Sequence, residues 1–328
     1  MSSATKVVAT ALPHDVSPAR IIKGVLATLA ALTGSAVAVV YCFYGSRAAW
    51  FLVAVLVLVV VRWVYWNGVG VCGWQWSWLR DSKPIMSTLA SDPQQKGTLR
   101  FVCVSDTHGR HRNVRVPDGD VFVHCGDFTN RGTHKEIRDF NDWLGSLPHR
   151  RKIVIAGNHD LSMDAVEYNE HWEKRWCHAE FNDPALSHAL LTNCTYMENR
   201  SVVIDGVKIF GSPMTPPIPG RVMAFNVARG FAAQQMWSKI PSDVDVLITH
   251  GPPNGILDKV VTGARVGDET LLKEVMSRCR PQFHVFGHIH EAYGATRVGK
   301  TVFINCATNT LLGSPKHAPV VFDIPSKC

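Results

Sequence analysis

The amino-acid sequence predicts an α/β fold that follows an N-terminal transmembrane helical hairpin. Two observations predict the α/β fold. Short apolar runs that end in glycine or polar residues recur along the last two thirds of the chain, and an amphipathic helical pattern separates two of them. Two long runs without charge near the N-terminus predict the membrane hairpin. A chain of 328 residues is long enough for one large domain and such an appendage.

The first 98 residues are predicted to attach the chain to a membrane. Residues 1–23 form a polar to mildly basic tail, residues 24–66 hold two transmembrane helices, and residues 67–98 form an interfacial segment and linker. Gly24–Gly45 carries no charge over more than twenty residues, the length that a spanning helix needs. The second uncharged run, Ala48–Val61, is followed by Arg62 and by a cluster of Trp and Tyr, which favour the membrane interface, so Ala48–Trp66 is predicted as the second span. The alternative is a buried helical hairpin that packs on the following domain.

Charge and cysteine usage indicate the side of the membrane. Three basic residues precede the first span and Arg47 lies in the short loop, so the positive-inside rule favours a cytosolic location for the following domain. Nine cysteines show no CxxC pair and no regular spacing, which favours reduced thiols. Two glycosylation sequons begin at Asn193 and Asn199, and they would matter only in a lumenal domain.

The overall charge does not indicate a nucleic-acid partner. The net charge of +7 comes from scattered basic residues without an aromatic-studded basic face. The densest basic cluster, Arg150–Lys152, follows a predicted helix and is expected to solvate its end. No nucleic-acid partner is therefore expected, and the sequence leaves the oligomeric state open.

Five short apolar runs after residue 98 end in polar side chains. One of them is Lys152–Asp160, in which four apolar residues lead to a glycine turn and three polar residues. The others are Leu99–Gly109, Asp120–Phe128, Val244–Pro253 and Phe283–His290. Ligands of open α/β sheets lie at the carboxyl ends of strands, so a binding site is expected there. The polar residues at these strand ends are Asp106, His108, Asp127, Asn158, His159, Asp160, His250, His288 and His290.

Helical patterns separate the predicted strands. Lys135–Leu147 places its large apolar side chains on one face, so this helix is expected to pack on a sheet with Trp143 in the core. Asp164–Leu191 predicts a helical insertion rich in His and Trp. These residues are expected in a cap or on the surface, because no strand-end glycine accompanies them. Leu271–Arg278 is the last predicted helix.

The remaining patterns predict strands and loops. Ser201–Gly211 predicts a β-hairpin around an Asp-Gly turn. Ser212–Gly220 contains four prolines, so it predicts a stiff loop that either overhangs the candidate site or forms a rigid surface turn. Thr301–Asn305 and Val320–Asp323 are expected to close a second sheet.

The donor atoms at the strand ends indicate a site for metal ions. They belong to carboxylates, an amide and imidazoles, and none is a thiolate. Mixed nitrogen and oxygen ligands in this number are too many for one tetrahedral zinc, and they suit two divalent ions that share a carboxylate. Mn, Fe and Zn all accept such ligands, so the metal cannot be read from the residues.

In these motifs the chain resembles the calcineurin-like metallophosphoesterase family. The motifs DxH, GD, GNHD, a lone His before Gly, and GHxH occur in the family's order, and the resemblance covers Leu99 to Pro325. Longer phrases, including FNDWLGSLPHRRKIVIAGNHD and RPQFHVFGHIHEAYG, are similar to the brain-type metallophosphoesterase-domain subfamily. Members of that subfamily are described as phosphodiesterases acting on cyclic nucleotides. The resemblance implies a four-layer αββα sandwich over residues 99–328.

The resemblance also implies roles for individual residues. Asp127 would bridge the two ions, and His159 would be catalytic by stabilising or protonating the leaving group. Apart from the resemblance, Asn226 and Arg229 follow the proline-rich loop, so they are expected to overhang the site and contact the substrate. The first ion would be held by Asp106, His108 and His290, and the second ion by Asn158, His250 and His288.

The expected reaction is hydrolysis of a phosphoester by a hydroxide that bridges the two ions. A phosphodiester, including a cyclic nucleotide, is the favoured substrate on the basis of the subfamily resemblance. One alternative is a phosphomonoesterase or a lipid-headgroup phosphatase at the membrane. Another is a nucleotide- or metal-binding scaffold with low turnover. The expected partners are therefore the substrate and a lipid bilayer.

His288 distinguishes this chain within the subfamily that it resembles. Some brain-type members carry Gly-Gly-Ile-His, whereas this chain carries Gly287-His288-Ile289-His290. Glycine offers no donor atom, so the second ion would have one protein ligand fewer in those members. This chain is therefore expected to be the more competent hydrolase.

Overall fold

The computed structural model describes residues 83–84, 93–174, 176 and 179–327. The chain separates into two units, Met1–Val71 and Cys72–Cys328, and the described residues belong to the second. The predicted tail, both predicted spans and most of the predicted linker lie outside the described residues. Within the described part of the chain, no helix is both long and apolar enough to cross a membrane.

One sheet of the described domain has five strands, numbered here in chain order. In sheet order they are β12 (Val320–Pro325), β2 (Thr98–Val104), β3 (Val121–Cys125), β4 (Arg151–Ile155) and β5 (Thr195–Tyr196). Strands β2 to β5 are parallel, whereas β12 is antiparallel to β2. All five residues of β3 are buried, as expected for a central parallel strand that is covered on both faces.

The second sheet has seven strands. Four of them are parallel, and two hairpins add antiparallel strands beside them. In sheet order the strands are β1 (Lys83–Pro84), β10 (Gly294–Val298), β11 (Thr301–Asn305), β9 (Phe283–Phe286), β8 (Val246–Thr249), β7 (Val207–Ser212) and β6 (Arg200–Ile204).

The two sheets pack face to face around an apolar core. Phe322 of β12 stacks on Phe101 of β2 with ring centroids 5.1 Å apart, and on Phe283 of β9 with centroids 3.9 Å apart. Phe322 therefore joins the five-stranded sheet to the seven-stranded sheet. Further core residues from both sheets are Val123, Ile155, Ile209, Ile248, Val285 and Ile304.

Helices cover the outer face of the five-stranded sheet. The longest is α1 (His134–Ser146), which begins with a capping box between Thr133 and Glu136. Its residues Ile137 and Phe140 are fully buried, and Trp143 is 5% exposed, which confirms the predicted core position of this side chain. Two shorter helices lie in the same layer, α2 (Ala165–His171) and α3 (Pro184–Ala189).

The outer face of the seven-stranded sheet carries two further helices. They are α4 (Phe231–Trp237) and α5 (Glu269–Glu274), and α5 continues into a π-helical turn at Val275–Cys279. Trp237 and Leu271 bury their side chains against strand residues of this sheet. The layers are therefore helix, sheet, sheet and helix, as the family resemblance implied.

The predicted insertion and the predicted linker contain features that the sequence did not indicate. The predicted helical insertion at Asp164–Leu191 contains two short helices, and Asp183 caps the second one, which begins at Pro184. Trp176 was expected in a cap or on the surface, yet it is 7% exposed and its indole nitrogen donates to the Val222 carbonyl. The predicted linker contains β1, which pairs with β10.

The predicted second sheet is also corrected. The pattern at residues 301–305 and 320–323 predicts two strands that close one sheet, but β11 and β12 lie in different sheets. Strand β12 pairs with β2, where Val320 lies opposite Cys103. The predicted hairpin is confirmed as β6 and β7, and its turn residues Asp205 and Gly206 have φ of 47° and 78°.

Candidate metal centre

The loops that follow strands of both sheets meet at one edge of the domain. Hydrogen bonds between backbone groups fix these loops to one another. The Asp106 amide donates to the Gly126 carbonyl at 2.9 Å, and the Gly287 amide donates to the His250 carbonyl at 3.0 Å. The structure brings together all seven side chains that the sequence predicts as metal ligands. They are Asp106, His108, Asp127, Asn158, His250, His288 and His290.

One group of donor atoms contains Asp106, His108 and His290. His290 Nε2 lies 3.3 Å from Asp106 Oδ1 and 3.3 Å from His108 Nε2. The second carboxylate oxygen, Asp106 Oδ2, accepts a hydrogen bond from the His288 amide at 2.9 Å. One donor atom from each of the three residues lies within 4.8 Å of the others, a spacing at which they could share one ion.

A second group contains Asp127, His250 and His288, with Asn158 beside them. His250 Nε2 lies 2.9 Å from Asn158 Oδ1, 3.2 Å from His288 Nδ1 and 3.5 Å from Asp127 Oδ2. Asp127 Oδ2 is also 3.8 Å from His108 Nε2, which belongs to the first group. Asp127 therefore lies between the two groups.

The donor atoms fit divalent cations. Asp106 Oδ1 is fully buried, and apart from the contact with His290 it has no hydrogen-bond partner among the described residues. His250 Nδ1 faces the Cys125 carbonyl at 2.9 Å, so this nitrogen carries a proton and Nε2 is the nitrogen directed at the site. His290 Nδ1 faces the Thr310 carbonyl at 3.3 Å in the same manner. Such carbonyl partners are typical of histidines that bind metals.

The charges of the site also favour a cation. Burial raises the pKa of a carboxyl, but the facing histidines outweigh it and hold the pKa of Asp106 and of Asp127 below the usual range. Burial lowers the pKa of histidine, yet the carboxylates raise the pKa of His250 and of His290 to about 9. Burial lowers the pKa of His288 to about 3. Two ionised carboxylates therefore draw positive charge into the site.

Backbone strain is concentrated at these residues. Among the described residues, nine other than glycine have positive φ, and four of them are predicted ligands. Residues other than glycine rarely adopt positive φ, and those that do cluster at functional sites. The four residues and their φ values are Asp106 at 56°, His108 at 44°, Asp127 at 56° and His288 at 67°.

Two motif glycines allow the close approach of the ligand loops. A Cβ atom on Gly157 would lie 2.3 Å from Asp127 Oδ1 and 2.5 Å from His250 Cε1. A Cβ atom on Gly287 would lie 2.1 Å from Asp106 Oδ2. Any side chain at either position would therefore displace a predicted ligand.

Asp160 fixes two ligand loops, a role that the sequence pattern did not reveal. Its Oδ2 accepts hydrogen bonds from the backbone amides of Asp127 at 2.9 Å and Gly157 at 2.8 Å. Its Oδ1 accepts hydrogen bonds from the Thr129 amide at 2.8 Å and from the Thr129 hydroxyl at 2.7 Å. Burial raises the pKa of Asp160 to about 8, while these donors act in the opposite direction. The sequence signal that could have indicated this role is the position of Asp160 as the last residue of GNHD, directly after the strand-end turn.

Two buried strand histidines contact residues next to the predicted ligands, and the sequence motifs did not reveal them. His124 Nε2 lies 3.0 Å from Thr107 Oγ1, between the predicted ligands of the DxH motif. His284 Nε2 lies 2.9 Å from Thr249 Oγ1, next to the His before Gly. Burial lowers the pKa of each histidine to about 3, so both are neutral. A polar residue inside an apolar strand is the signal that could have found them.

His159 lies beside the first group. Its amide donates to Asp127 Oδ1 at 2.7 Å, and its Nδ1 lies 3.0 Å from the Asn130 carbonyl. Its ring is perpendicular to that of His108, with centroids 4.8 Å apart. A donor atom of His159 is also within 4.8 Å of donors of His108 and Asp127, so it lies at the rim of the site.

The two predicted substrate contacts differ in their surroundings. The segment before Asn226 contacts the site, because the Ala224 amide donates to the Asn158 carbonyl at 3.3 Å. Asn226 Nδ2 is buried and has no hydrogen-bond partner among the described residues. Arg229 instead donates to the Gly267 carbonyl at 2.7 Å and to a neighbouring carbonyl at 2.6 Å, so its donors are engaged within the protein.

Two facing mixed sheets with a shared His/Asp cluster at their strand ends define the class of metallophosphoesterases. A family model described as calcineurin-like phosphoesterase matches residues 99–292, and the chain belongs to this family. Members use divalent metals to hydrolyse phosphoric esters, so the chain is a metal-dependent phosphoric ester hydrolase. The family predicted from the motifs is thereby confirmed.

Named relatives agree with this membership. The chain is 43% identical to human metallophosphoesterase domain-containing protein 1, over 71% of this chain and 73% of that protein. It is 41% identical to UPF0046 protein K07C11.7 of Caenorhabditis elegans, over 72% of this chain and 80% of that protein. It is 36% identical to UPF0046 protein T07D4.2 of the same organism, over 76% of this chain and 67% of that protein.

Proposed function

We propose that the protein is a phosphodiesterase that acts on nucleotides, including cyclic nucleotides, with two divalent ions. The observation that carries the two-ion proposal is the position of Asp127, whose Oδ2 lies 3.5 Å from His250 Nε2 and 3.8 Å from His108 Nε2. A carboxylate between two groups of nitrogen and oxygen donors is the arrangement expected of a bridging ligand.

The ligands of each ion follow from the two groups of donor atoms. Asp106, His108 and His290 would hold the first ion, and Asn158, His250 and His288 would hold the second, with Asp127 between them. Nitrogen and oxygen ligands of this kind suit Mn, Fe or Zn. When bound, such ions lower the pKa of a water molecule and neutralise charge on phosphoryl oxygens.

His159 is proposed to move a proton to the leaving oxygen. Because its Nδ1 faces the Asn130 carbonyl at 3.0 Å, Nδ1 carries a proton and fixes the orientation of the ring. The second ring nitrogen can then hold the proton that the departing oxygen needs. The hydrogen bond from the His159 amide to Asp127 keeps this ring next to the proposed bridging residue.

The substrate proposal rests on resemblance and on one buried amide. The brain-type subfamily that the sequence resembles is described as acting on cyclic nucleotides. Asn226 Nδ2 has no partner among the described residues and lies in the segment bonded to Asn158, so it can donate to an oxygen of the substrate. Arg229 is left out of this proposal because protein carbonyls already accept its hydrogen bonds.

A panel of substrates tests the proposed function. The full chain is assayed with added Mn or Zn against bis-p-nitrophenyl phosphate, p-nitrophenyl phosphate and cyclic AMP, with EDTA-treated protein as the blank. Asp106→Asn should abolish turnover, whereas Asp142→Asn on the exposed side of α1 should leave it unchanged. Faster hydrolysis of the diesters supports the proposal. Faster hydrolysis of the monoester identifies a phosphomonoesterase, and bound metal without turnover identifies a scaffold.

We also propose that residues 24–66 anchor the enzyme in a bilayer with the catalytic domain in the cytosol. The support is the absence of charge over Gly24–Gly45 and the basic residues that precede it in sequence. The lipid bilayer is therefore the proposed partner of the N-terminal region.

A further inference from the structure

A turn with two leucines at its tip lies after β11. The Gly313 amide donates to the Thr310 carbonyl at 2.7 Å, which closes the turn around Leu311 and Leu312. Leu311 is 56% exposed and Leu312 is 91% exposed. Turn tips in water usually carry Gly, Asn, Asp or Ser, so two exposed leucines need a reason.

This turn lies next to the candidate metal centre. The same Thr310 carbonyl faces His290 Nδ1 at 3.3 Å. A second exposed apolar residue, Val261, is 69% exposed, and its amide donates to Glu291 Oε1 at 3.0 Å. Because His290 and Glu291 are adjacent, both apolar segments border the same part of the site. We call Val261, Leu311 and Leu312 the apolar rim.

Positive charge accompanies the apolar rim. A Cβ atom on Gly313 would lie 3.5 Å from Arg110 Nη1, which places this guanidinium against the turn. Lys316 and Lys259 are exposed in the two segments that carry the rim, and residues 310–319 contain no acidic residue. The surface therefore combines exposed apolar side chains with three cations, Arg110, Lys259 and Lys316, and one exposed carboxylate, Glu291.

We propose that the apolar rim and its cations form a contact surface for an anionic lipid bilayer. Single exposed leucines are ordinary, but three exposed apolar side chains on two segments that border one site indicate a contact surface. Apolar residues flanked by Lys and Arg suit the boundary between acyl chains and anionic headgroups. The proposal rests on the proposed membrane anchor, because the two uncharged runs upstream would hold the same chain at a bilayer. The contact would present the metal centre to the membrane surface.

Photo-crosslinking identifies what covers the rim. The full chain with Leu312→p-benzoylphenylalanine is reconstituted in phosphatidylcholine vesicles with and without phosphatidylserine, and adducts are identified by mass. The matched control is Val203→p-benzoylphenylalanine, because Val203 is 57% exposed on β6, an edge strand of the seven-stranded sheet. We expect several-fold more phospholipid adduct at position 312 than at position 203, and a higher yield with phosphatidylserine.

Other outcomes would overturn the proposal. Equal lipid adducts at both positions, or no adduct at 312, would remove the bilayer contact. An adduct between two copies of the chain would assign the rim to self-association. Arg110→Gln combined with Lys316→Gln should abolish the effect of phosphatidylserine, and a retained effect would contradict the role of the cations. In the unsubstituted chain, slower hydrogen exchange of residues 308–317 in vesicles than in detergent supports the contact, and equal rates contradict it.

Discussion

Asp127 lies between both groups of candidate ligands, so its loss should affect both proposed ions. Asp127→Ala is expected to lower metal content at both positions and to reduce turnover to the level of metal-free protein. Metal analysis after gel filtration and turnover of bis-p-nitrophenyl phosphate measure the two effects. Asp142→Ala, an exposed carboxylate on α1, serves as control. Loss of only one ion from Asp127→Ala would contradict the bridging role.

His159 should be separable from the metal ligands. His159→Ala is expected to retain bound metal and lose turnover by ~10²–10⁴-fold, the usual contribution of a general acid. The same metal analysis and a kcat measurement check this expectation. If His159→Ala lost metal as completely as Asp127→Ala, the nitrogen near His108 would be a ligand and not a proton donor.

His288 tests the difference from the brain-type pattern. His288→Gly should lower the affinity for the second metal and reduce phosphodiester turnover, because glycine has no donor atom. The fold should remain intact, since the backbone φ of 67° at this position suits glycine better than histidine. Metal titration and kinetics of both forms decide the matter. Equal stoichiometry with equal turnover would remove His288 from the site.

Residues that act directly at a strand end could be predicted, whereas residues that support them could not. Asp106 and His288 each follow an apolar run within a few positions, so a short window of sequence reveals them. Asp160 acts on the amides of Asp127 and Thr129, which lie 33 and 31 positions away in the chain. Such contacts depend on tertiary folding, which local patterns do not encode.

The buried strand histidines make the stability of the domain depend on pH. His284 on β9 has its pKa lowered to about 3 by burial, against about 6.5 in an unfolded chain. As the pH falls through about 6.5, His284 binds a proton in the unfolded chain but not in the native state, so the unfolding free energy decreases. At pH 5 this decrease is about 2 kcal/mol for one such histidine.

Urea unfolding of the metal-free full chain at pH 7 and pH 5 measures this effect. His284→Gln keeps a side-chain donor for Thr249 and lacks the titrating ring, so its unfolding free energy should change less between the two pH values. His134→Gln at the first residue of α1 is the control. An identical pH dependence for wild type and His284→Gln would contradict a neutral buried His284.

Most elements could be predicted from local patterns, but their assignment to sheets could not. The helix predicted at residues 135–147 is α1, displaced by one residue, because its apolar face and the Thr133 cap are local signals. The sheet that receives β12 is decided by its backbone pairing with β2, in which Phe322 lies opposite Phe101. That arrangement joins residues more than 200 positions apart in the chain, so sequence alone left β11 and β12 in one sheet.

The whole molecule is expected to behave as an integral membrane protein. After alkaline carbonate extraction, the full chain should remain in the pellet because of the apolar content of residues 24–66. Deletion of those residues should release the chain to the supernatant, and deletion of residues 1–23 should not. Recovery of the full chain in the supernatant would contradict the predicted transmembrane hairpin.

Glycosylation reports the side of the membrane. Asn193 and Asn199 should be unmodified in a eukaryotic host, because the domain is proposed to be cytosolic. Asn193 Nδ2 also donates to the Asn141 carbonyl at 3.0 Å, and Asn199 Oδ1 accepts from Ser212 Oγ at 2.8 Å. Insensitivity of the electrophoretic mobility to glycosidase is the expected result, and a glycan at either position would reverse the topology.

The metal centre draws its donors from the strand ends of two separate sheets. Asp127 follows the five-stranded sheet and His250 follows the seven-stranded sheet. A cation bound between them would act as a non-covalent cross-link at one edge of the sandwich. Because such a ligand binds only when the two layers are aligned, it stabilises that alignment by mass action. Scarcity of metal would then shorten the lifetime of the folded enzyme as well as slow its reaction.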